Sequence, residues 1–337
     1  MRKLTVWVVF PALLIGPVIA FVIFGLCFSP LTPKHPVSLS IPPGSSFSSV
    51  AEKLRDEGVV RNALALKLLA RWNGQAGKIQ AGDYRFSDPA TPEEVLNRLT
   101  AGDVEKVSLT IPEGFTLAQI IERISEKGFG DHDKLMHLAY DRDFIKSLKI
   151  DATSLEGYLF PETYLFAPGI GEEALLRMMV AQFRSHLDPQ LQKKAQTLGL
   201  TLHQWVTLAS IIEKETGIVE EMPLISSVFH NRLKRRIPLQ TDPTVIYGIK
   251  NFDGNLTRKH LETPSPYNTY LNRGLPPGPI ASPGLAALKA AVNPAQTKYL
   301  YFVATGDGGH RFSKTLKEHN AAVKEYLAQR RRNRKKK

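Results

Sequence analysis

The sequence predicts an α+β protein in three parts: one N-terminal transmembrane helix, a small αβ module, and a larger mixed α/β domain. Three observations lead there. Residues 4–28, LTVWVVFPALLIGPVIAFVIFGLCF, contain no charge. A strand–turn–helix pattern occurs twice, 70 residues apart. Beyond the second copy, amphipathic helical periods alternate with short aromatic and β-branched runs. The length of 337 residues suits about two domains. With 43% hydrophobic and 23% charged residues, a wholly disordered or collagen-like chain is excluded. The one cysteine, Cys27, excludes an intramolecular disulfide and a cysteine-based zinc site.

As a helix, the uncharged run of 25 residues reaches about 37 Å, more than the ~30 Å of bilayer hydrocarbon. Pro11 and Pro17 permit a kink without forbidding a span. A cleaved signal peptide needs a shorter apolar stretch followed by a small-x-small site, and the bulky Phe24, Leu26 and Phe28 leave none. Leu26 also stands where a lipid-anchor signal ahead of Cys27 needs a small residue. Arg2 and Lys3 precede the run, whereas the next charge after it is Lys34. That asymmetry predicts a single-pass membrane protein with residues 1–3 cytoplasmic and the rest exported; with the resemblance given below, the expected compartments are the cell inner membrane and the periplasm.

The formal net charge is +12, and the pI is about 9.6. Taken whole, this points to an anionic partner such as nucleic acid. Residues 330–337 hold seven of the positive charges, and Arg2 and Lys3 two more, which leaves +3 for residues 4–329. No basic helix or aromatic–basic interleaving supports nucleic-acid binding. The tail is expected to be a solvated, disordered end.

Residues 29–36, SPLTPKHP, read as a stiff extended linker. VSLSIPPGSSFSSVAEKLRDEGV (37–59) and VSLTIPEGFTLAQIIERISEKGF (107–129) then share eight of 23 positions. In each copy an alternating strand ends at Pro-x-Gly, and an amphipathic helix runs to Gly58 or Gly128. Between the copies the pattern predicts a helix near 62–73, a strand at 81–86 and a helix near 92–101, opened by Thr91 as N-cap with Pro92 behind it. Two strands flanked by two helices are the layout of LysM modules, which bind N-acetylglucosamine polymers, so residues 37–105 are expected to form a LysM-like module, a likeness at the level of the fold.

The larger domain spans 106–329, with its core at about 152–329. Helices are predicted at 172–186, 189–198 and 201–216, the last opened by a Thr201–Gln204 capping box and closed by Gly217. Further helices are expected at 222–233, 284–292 and 314–329, with a strand at 298–304. Residues 238–285 are dense in Pro, Gly, Asn, Thr and Tyr, as segments lining a site are.

No phosphate-binding loop, dinucleotide fingerprint, H-E-x-x-H or G-x-S-x-G is present. His203, His260, His310 and His319 lack metal-ligand spacing and are expected to be solvated or hydrogen-bonded. What remains is carboxylate chemistry. On the helix from 201, with Trp205 at 0°, Glu213 falls at about 80°, between Leu202 and Val206. An apolar flank disfavours the charged carboxylate and raises its pKa, as a general acid requires. Glu215 falls at about 280°, between Leu208 and Ile211, so the wheel does not choose between them.

Five motifs occur together: LEGYLFPETY (155–164), ASIIEKET (209–216), LQTDPTVIYG (239–248), SPYNTYLNRGLPPGPI (265–280) and GGHRFSKTLKEHN (308–320). In this order they closely resemble the endolytic murein transglycosylases, the YceG-like family, over essentially the whole chain. Two departures are local. Arg235-Arg236-Ile237 fills a turn where a Gly-Met pair is expected, and Ser282 stands where Asn is usual. The resemblance implies a lytic transglycosylase without a cofactor, with the glycan strands of peptidoglycan as substrate and peptidoglycan synthases as candidate partners. It places the catalytic acid at Glu213 and leaves Glu215 to orient other groups. Gln240, Asp242, Tyr247, Tyr267, Asn268 and Tyr270 are the expected groove residues, since tyrosines stack on sugars and bond their oxygens. Glu162 or Asp242 is the second carboxylate if the enzyme is instead a hydrolytic muramidase. A non-catalytic, membrane-anchored peptidoglycan-binding scaffold is the other alternative.

Overall fold

The computed structural model describes Gly25 and residues 28–306 and 308–335. Most of the uncharged run, and with it the expected transmembrane helix, lies outside the described residues. Among the described residues no helix is long and apolar enough to cross a membrane. The chain forms two compact units, one of residues up to Ser108 together with Leu165–Gly169, the other of Leu109–Tyr164 and Ile170 onward.

The first unit contains β1 (Val37–Ile41), α1 (Phe47–Asp56), α2 (Ala63–Trp72), β2 (Gly82–Phe86) and α3 (Pro92–Ala101). β1 and β2 pair antiparallel, with Leu39 opposite Tyr84. Their inward side chains join Val50, Leu54, Leu66, Leu96 and Leu99 in one core. Each helix starts where a side chain relieves the unpaired N–H groups of its first turn. Ser46 caps α1, Asn62 caps α2, and Thr91 and Glu94 form the capping box of α3. The Pro-rich linker is less free than expected, because Leu31 and Ala90 exchange two backbone hydrogen bonds of 3.0 and 3.1 Å.

Next come β3 (Val107–Thr110), α4 (Leu117–Glu126), α5 (His132–Tyr140), α6 (Arg142–Ser147), β4 (Thr163–Phe166), α7 (Glu172–Ser185) and α8 (Pro189–Thr197). The 70-residue repeat is structural as well as sequential: α4 begins and ends 70 positions after α1. Both helices close alike, with Gly58 and Gly128 in the left-handed region at φ 71° and 73°. β3 and β4 form a two-stranded sheet.

The remainder is α9 (Leu202–Glu215), a 3-10 turn (Val219–Glu221), α10 (Met222–Lys234), α11 (Asp242–Tyr247), α12 (Arg258–Glu262), α13 (Leu285–Val292), the antiparallel pair β5 (Tyr301–Ala304) and β6 (His310–Ser313), and α14 (Leu316–Lys335). Helix α9 packs along α13, where the indole N–H of Trp205 donates to the Leu288 carbonyl at 2.8 Å.

Three expectations change. Gly217 does not close α9; Thr216 takes an extended conformation, and its hydroxyl accepts the Ile218 N–H at 3.0 Å. The basic end is not disordered throughout, since α14 continues into it as far as Lys335. The Gly- and Pro-rich stretch from 238 holds two short helices, α11 and α12. The turn where Arg236 replaces an expected glycine does adopt a left-handed backbone, at φ 56°.

Candidate active site

Glu213 stands in the last turn of α9, half-buried. The helix is fixed at its start by the Thr201–Gln204 capping box and along one side by the buried Trp205, Leu208, Ala209 and Ile212. One carboxylate oxygen, Oε2, accepts the backbone N–H of Gly284, the N-cap of α13, at 3.0 Å. Burial raises Glu213 above the ordinary glutamate range; the Gly284 bond opposes this, the charge of Glu113 adds to it, and Lys214 opposes it.

Glu113 sits in the Pro112-Glu113-Gly114 turn after β3. Three bonds clamp this turn: Gly114 N–H to the Ser282 carbonyl at 2.9 Å, Ser282 N–H to the Phe115 carbonyl at 2.8 Å, and the Lys214 ammonium to the Gly114 carbonyl at 3.0 Å. The Glu113 carboxylate then lies over Gly284, where a Cβ would meet its Oε1 at 1.8 Å. With N and Cβ of one residue about 2.5 Å apart, the carboxylates of Glu113 and Glu213 are within about 7 Å of each other. A side chain at 284 would displace the Glu113 carboxylate from this position.

Sequence reasoning missed Glu113. A signal existed in the repeat, where the first copy has Pro43 at the equivalent position of the same turn. Replacing Glu113 by Gln removes a like charge and lowers the Glu213 pKa. If Glu213 must be protonated to act, the alkaline limb of the pH–rate profile then moves to lower pH. An unmoved limb contradicts this coupling.

Glu215 faces a different set of groups. The Thr241 hydroxyl donates to its Oε1, and burial pushes it up to about 7, opposed by the Thr241 bond, with Asp242 adding and Arg232 opposing. Arg232 is buried and holds the following loop, donating to the carbonyls of Leu300, Pro238 and Leu239 and to Gln240 Oε1. Gln240 is therefore turned toward Arg232, on a left-handed backbone at φ 51°. The Tyr270 hydroxyl donates to Asp242 Oδ1 at 2.6 Å.

A third raised carboxylate, Glu156 of the LEGYLFPETY motif, was not singled out in the sequence. It is 4% exposed, accepting the Leu117 N–H at 2.9 Å and the Tyr247 hydroxyl at 3.0 Å. The Tyr247 ring lies 4.8 Å from that of Tyr267. Burial pushes Glu156 up to about 7, against the hydrogen bonds from Leu117, Tyr247 and Gly157. Unfolded, the group loses its proton near 4.5, so between about pH 4.5 and 7 the folded chain keeps a proton that the unfolded chain releases. Stability contributed by this group therefore falls as pH rises through that window. Glu156→Gln gains stability relative to wild type between pH 5 and 7, by about 3 kcal/mol at most. Thermal midpoints of the two proteins measured across that range check it; parallel curves contradict it.

The remaining candidates are placed differently. Asn268 is fully buried, its amide donating to the Leu261 and Thr263 carbonyls and its oxygen accepting the Tyr270 N–H, so it shapes the loop rather than facing a ligand. Glu162 is exposed, and its carboxylate folds back onto the Thr163 N–H. Neither Glu162 nor Asp242 is the carboxylate beside Glu213; Glu113 is. Asp242, Tyr247, Tyr267 and Tyr270 do converge around α11. His203 is hydrogen-bonded on both sides, to Tyr158 and to the Pro277 carbonyl, each at 2.8 Å. Ser282 leaves a buried hydroxyl with no partner among the described residues.

The model of the YceG-like family matches residues 39–325. A Bacillus subtilis protein named endolytic murein transglycosylase is 35% identical over 311 residues, covering 88% of this chain and 86% of its own. A Streptococcus pneumoniae protein of the same name is 30% identical over 326 residues, covering 87% of this chain but only 59% of its own. A crystal structure of a YceG-like protein from Listeria monocytogenes aligns with a TM-score of 0.60 at 33% identity, covering 86% of this chain and 99% of that one. Because the family match opens in β1 and ends in α14, it takes in both units, and the chain belongs to the YceG-like family.

Proposed function

We propose that this chain is a lytic transglycosylase that cuts peptidoglycan glycan strands internally, between N-acetylmuramic acid and N-acetylglucosamine, with Glu213 as its acid and base. The names of the Bacillus and Streptococcus relatives support the activity. The placement of Glu213 supports the role: a half-buried carboxylate with raised pKa, bonded to the protein through Oε2. Glu156 has a raised pKa too, but both its oxygens are engaged inside the protein.

Protonated Glu213 gives its proton to the glycosidic oxygen as the bond to C1 of the muramoyl residue breaks, and the N-acetylglucosamine leaves with a hydroxyl. The resulting carboxylate takes the proton of the muramoyl C6 hydroxyl as that oxygen bonds to C1. The product ends in a 1,6-anhydro ring, Glu213 is again protonated, and no water is consumed. Such cuts end strand elongation. Tyr247, Tyr267 and the Tyr270–Asp242 pair line the sugar groove, and Glu156 and Glu215 hold its walls in place.

The uncharged run at 4–28 supports a single inner-membrane anchor with the catalytic unit in the periplasm. The β1–α1–α2–β2 order, with its strands paired, supports the LysM-like reading of residues 37–105.

Glu113 favours a second reading. Two carboxylates within about 7 Å are also the equipment of a hydrolytic glycosidase. The activity itself is tested by incubating the detergent-solubilised chain with long glycan strands and separating the products by length. Internal cutting gives many intermediate lengths early. Release of only end units contradicts the endolytic assignment, and unchanged strands contradict the activity.

A further inference from the structure

We propose that the outward face of α2 lies on the lipid surface of the membrane, as an interfacial helix beside the anchor. Leu64, Leu68 and Trp72 are 63%, 57% and 91% exposed. At a spacing of four residues they form one stripe on a ten-residue helix whose other side, Ala63, Leu66 and Ala70, is buried in the core. A lone exposed leucine needs no explanation, but an aligned stripe ending in an almost fully exposed tryptophan does.

The charges on this face fit a lipid partner. At 100° per residue, Arg71 projects on the same side as the stripe, the exposed Arg61 stands just ahead of the N-cap Asn62, and the helix has no acidic residue. Lys67, at its edge, pairs with Glu52 at 2.6 Å. Long basic side chains beside leucine and tryptophan are the composition of helices that lie in the headgroup region, the cations reaching to phosphate while the apolar groups enter the acyl boundary. A sugar ligand calls for hydrogen-bonding groups around the aromatic ring, and Leu64 and Leu68 supply none.

The location fits as well. The Arg61 guanidinium donates to the Pro30 carbonyl at 3.3 Å. Pro30 is two residues beyond the end of the uncharged run, and the next residue, Leu31, is pinned to Ala90 by its backbone pair. The start of α2 is thus tied to the chain where it leaves the proposed anchor, and the helix is only about 15 Å long. This inference rests on the anchor reading, and the following experiment distinguishes its failure from failure of the anchor.

The full chain is reconstituted in vesicles of phosphatidylethanolamine and phosphatidylglycerol that include lipid brominated on the acyl chain, near the headgroup or deep. Of its tryptophans, Trp205 is buried in the protein and serves as the unquenched background. In the Trp7→Phe chain, lipid brominated near the headgroup quenches an emission component that Trp72→Phe removes and that Leu64→Ser with Leu68→Ser weakens. In the Trp72→Phe chain, Trp7, the fourth residue of the uncharged run and so near its cytoplasmic boundary, is quenched by lipid brominated near the headgroup and reports the anchor alone. Trp72 unquenched by bromine but quenched by acrylamide overturns the α2 proposal, as does Trp72 shielded from both, which means that protein covers it. Trp7 unquenched at every depth overturns the anchor reading, and the α2 proposal with it.

Discussion

Glu213→Gln lowers the rate of glycan cleavage by at least about 100-fold, the scale of a positioned general acid and base. The amide keeps an oxygen to accept the Gly284 N–H, so the geometry around α9 and α13 is retained. It has no proton of suitable acidity to give to the glycosidic oxygen, and once that step fails it cannot take the C6 proton. The thermal midpoint is expected to stay close to that of wild type. A Glu213→Gln protein that cleaves strands at full rate removes the residue from its assigned role. One that loses activity together with several degrees of stability leaves the loss attributable to folding, which a Glu213→Asp variant then resolves: it keeps the proton, and fails only through misplacement.

The second large effect is on stability. Gly157→Ala destabilises the protein by about 2–5 kcal/mol. Gly157 has φ 81°, a left-handed backbone that costs an L-residue about 1–2 kcal/mol. A Cβ there would also meet Pro279 Cβ at 2.5 Å and Cγ at 2.7 Å and Val206 Cγ1 at 3.0 Å. These neighbours are a stiff ring and a branched side chain, so relief requires backbone movement, at about 1–3 kcal/mol. Gly157 is next to Glu156, and Pro279 leads into the segment that clamps Glu113, so the strain reaches the site. Thermal unfolding with the midpoint unchanged contradicts this account of the glycine.

Much of this fold was legible in local patterns. Thr91 and Thr201 were identified as caps from residue type and spacing alone, and both make reciprocal bonds to Glu94 and Gln204. The repeat predicted that α1 and α4 run out at Gly58 and Gly128, because apolar period and terminal glycine lie within one short segment. What failed depended on context. Gly217 looked like a helix stop, but α9 already turns out of helix at Thr216. The basic tail looked unstructured because like charges repel, yet α14 extends into it.

The site was legible only in part. The wheel put both Glu213 and Glu215 on apolar flanks, and both are indeed raised, with Glu156 as a third. Periodicity reports the face of a residue; the hydrogen bonds then set Glu156, engaged at both oxygens, apart from Glu213 and Glu215, each bonded at one. Glu113 lies 100 positions from Glu213 and reaches it only through the turn that Ser282 and Lys214 clamp. Asn268 looked like a ligand because polar loop residues often are, but its hydrogen bonds all close within its own loop.

The central claim is that one protein carboxylate, Glu213, completes the reaction with a substrate hydroxyl and without water. Digestion of glycan strands in H2(18)O, followed by mass analysis of the new muramoyl ends, tests it most directly. The account predicts 1,6-anhydro ends that contain no heavy oxygen. Reducing ends labelled with (18)O contradict it, and they would identify Glu113 and Glu213 as the two carboxylates of a hydrolase.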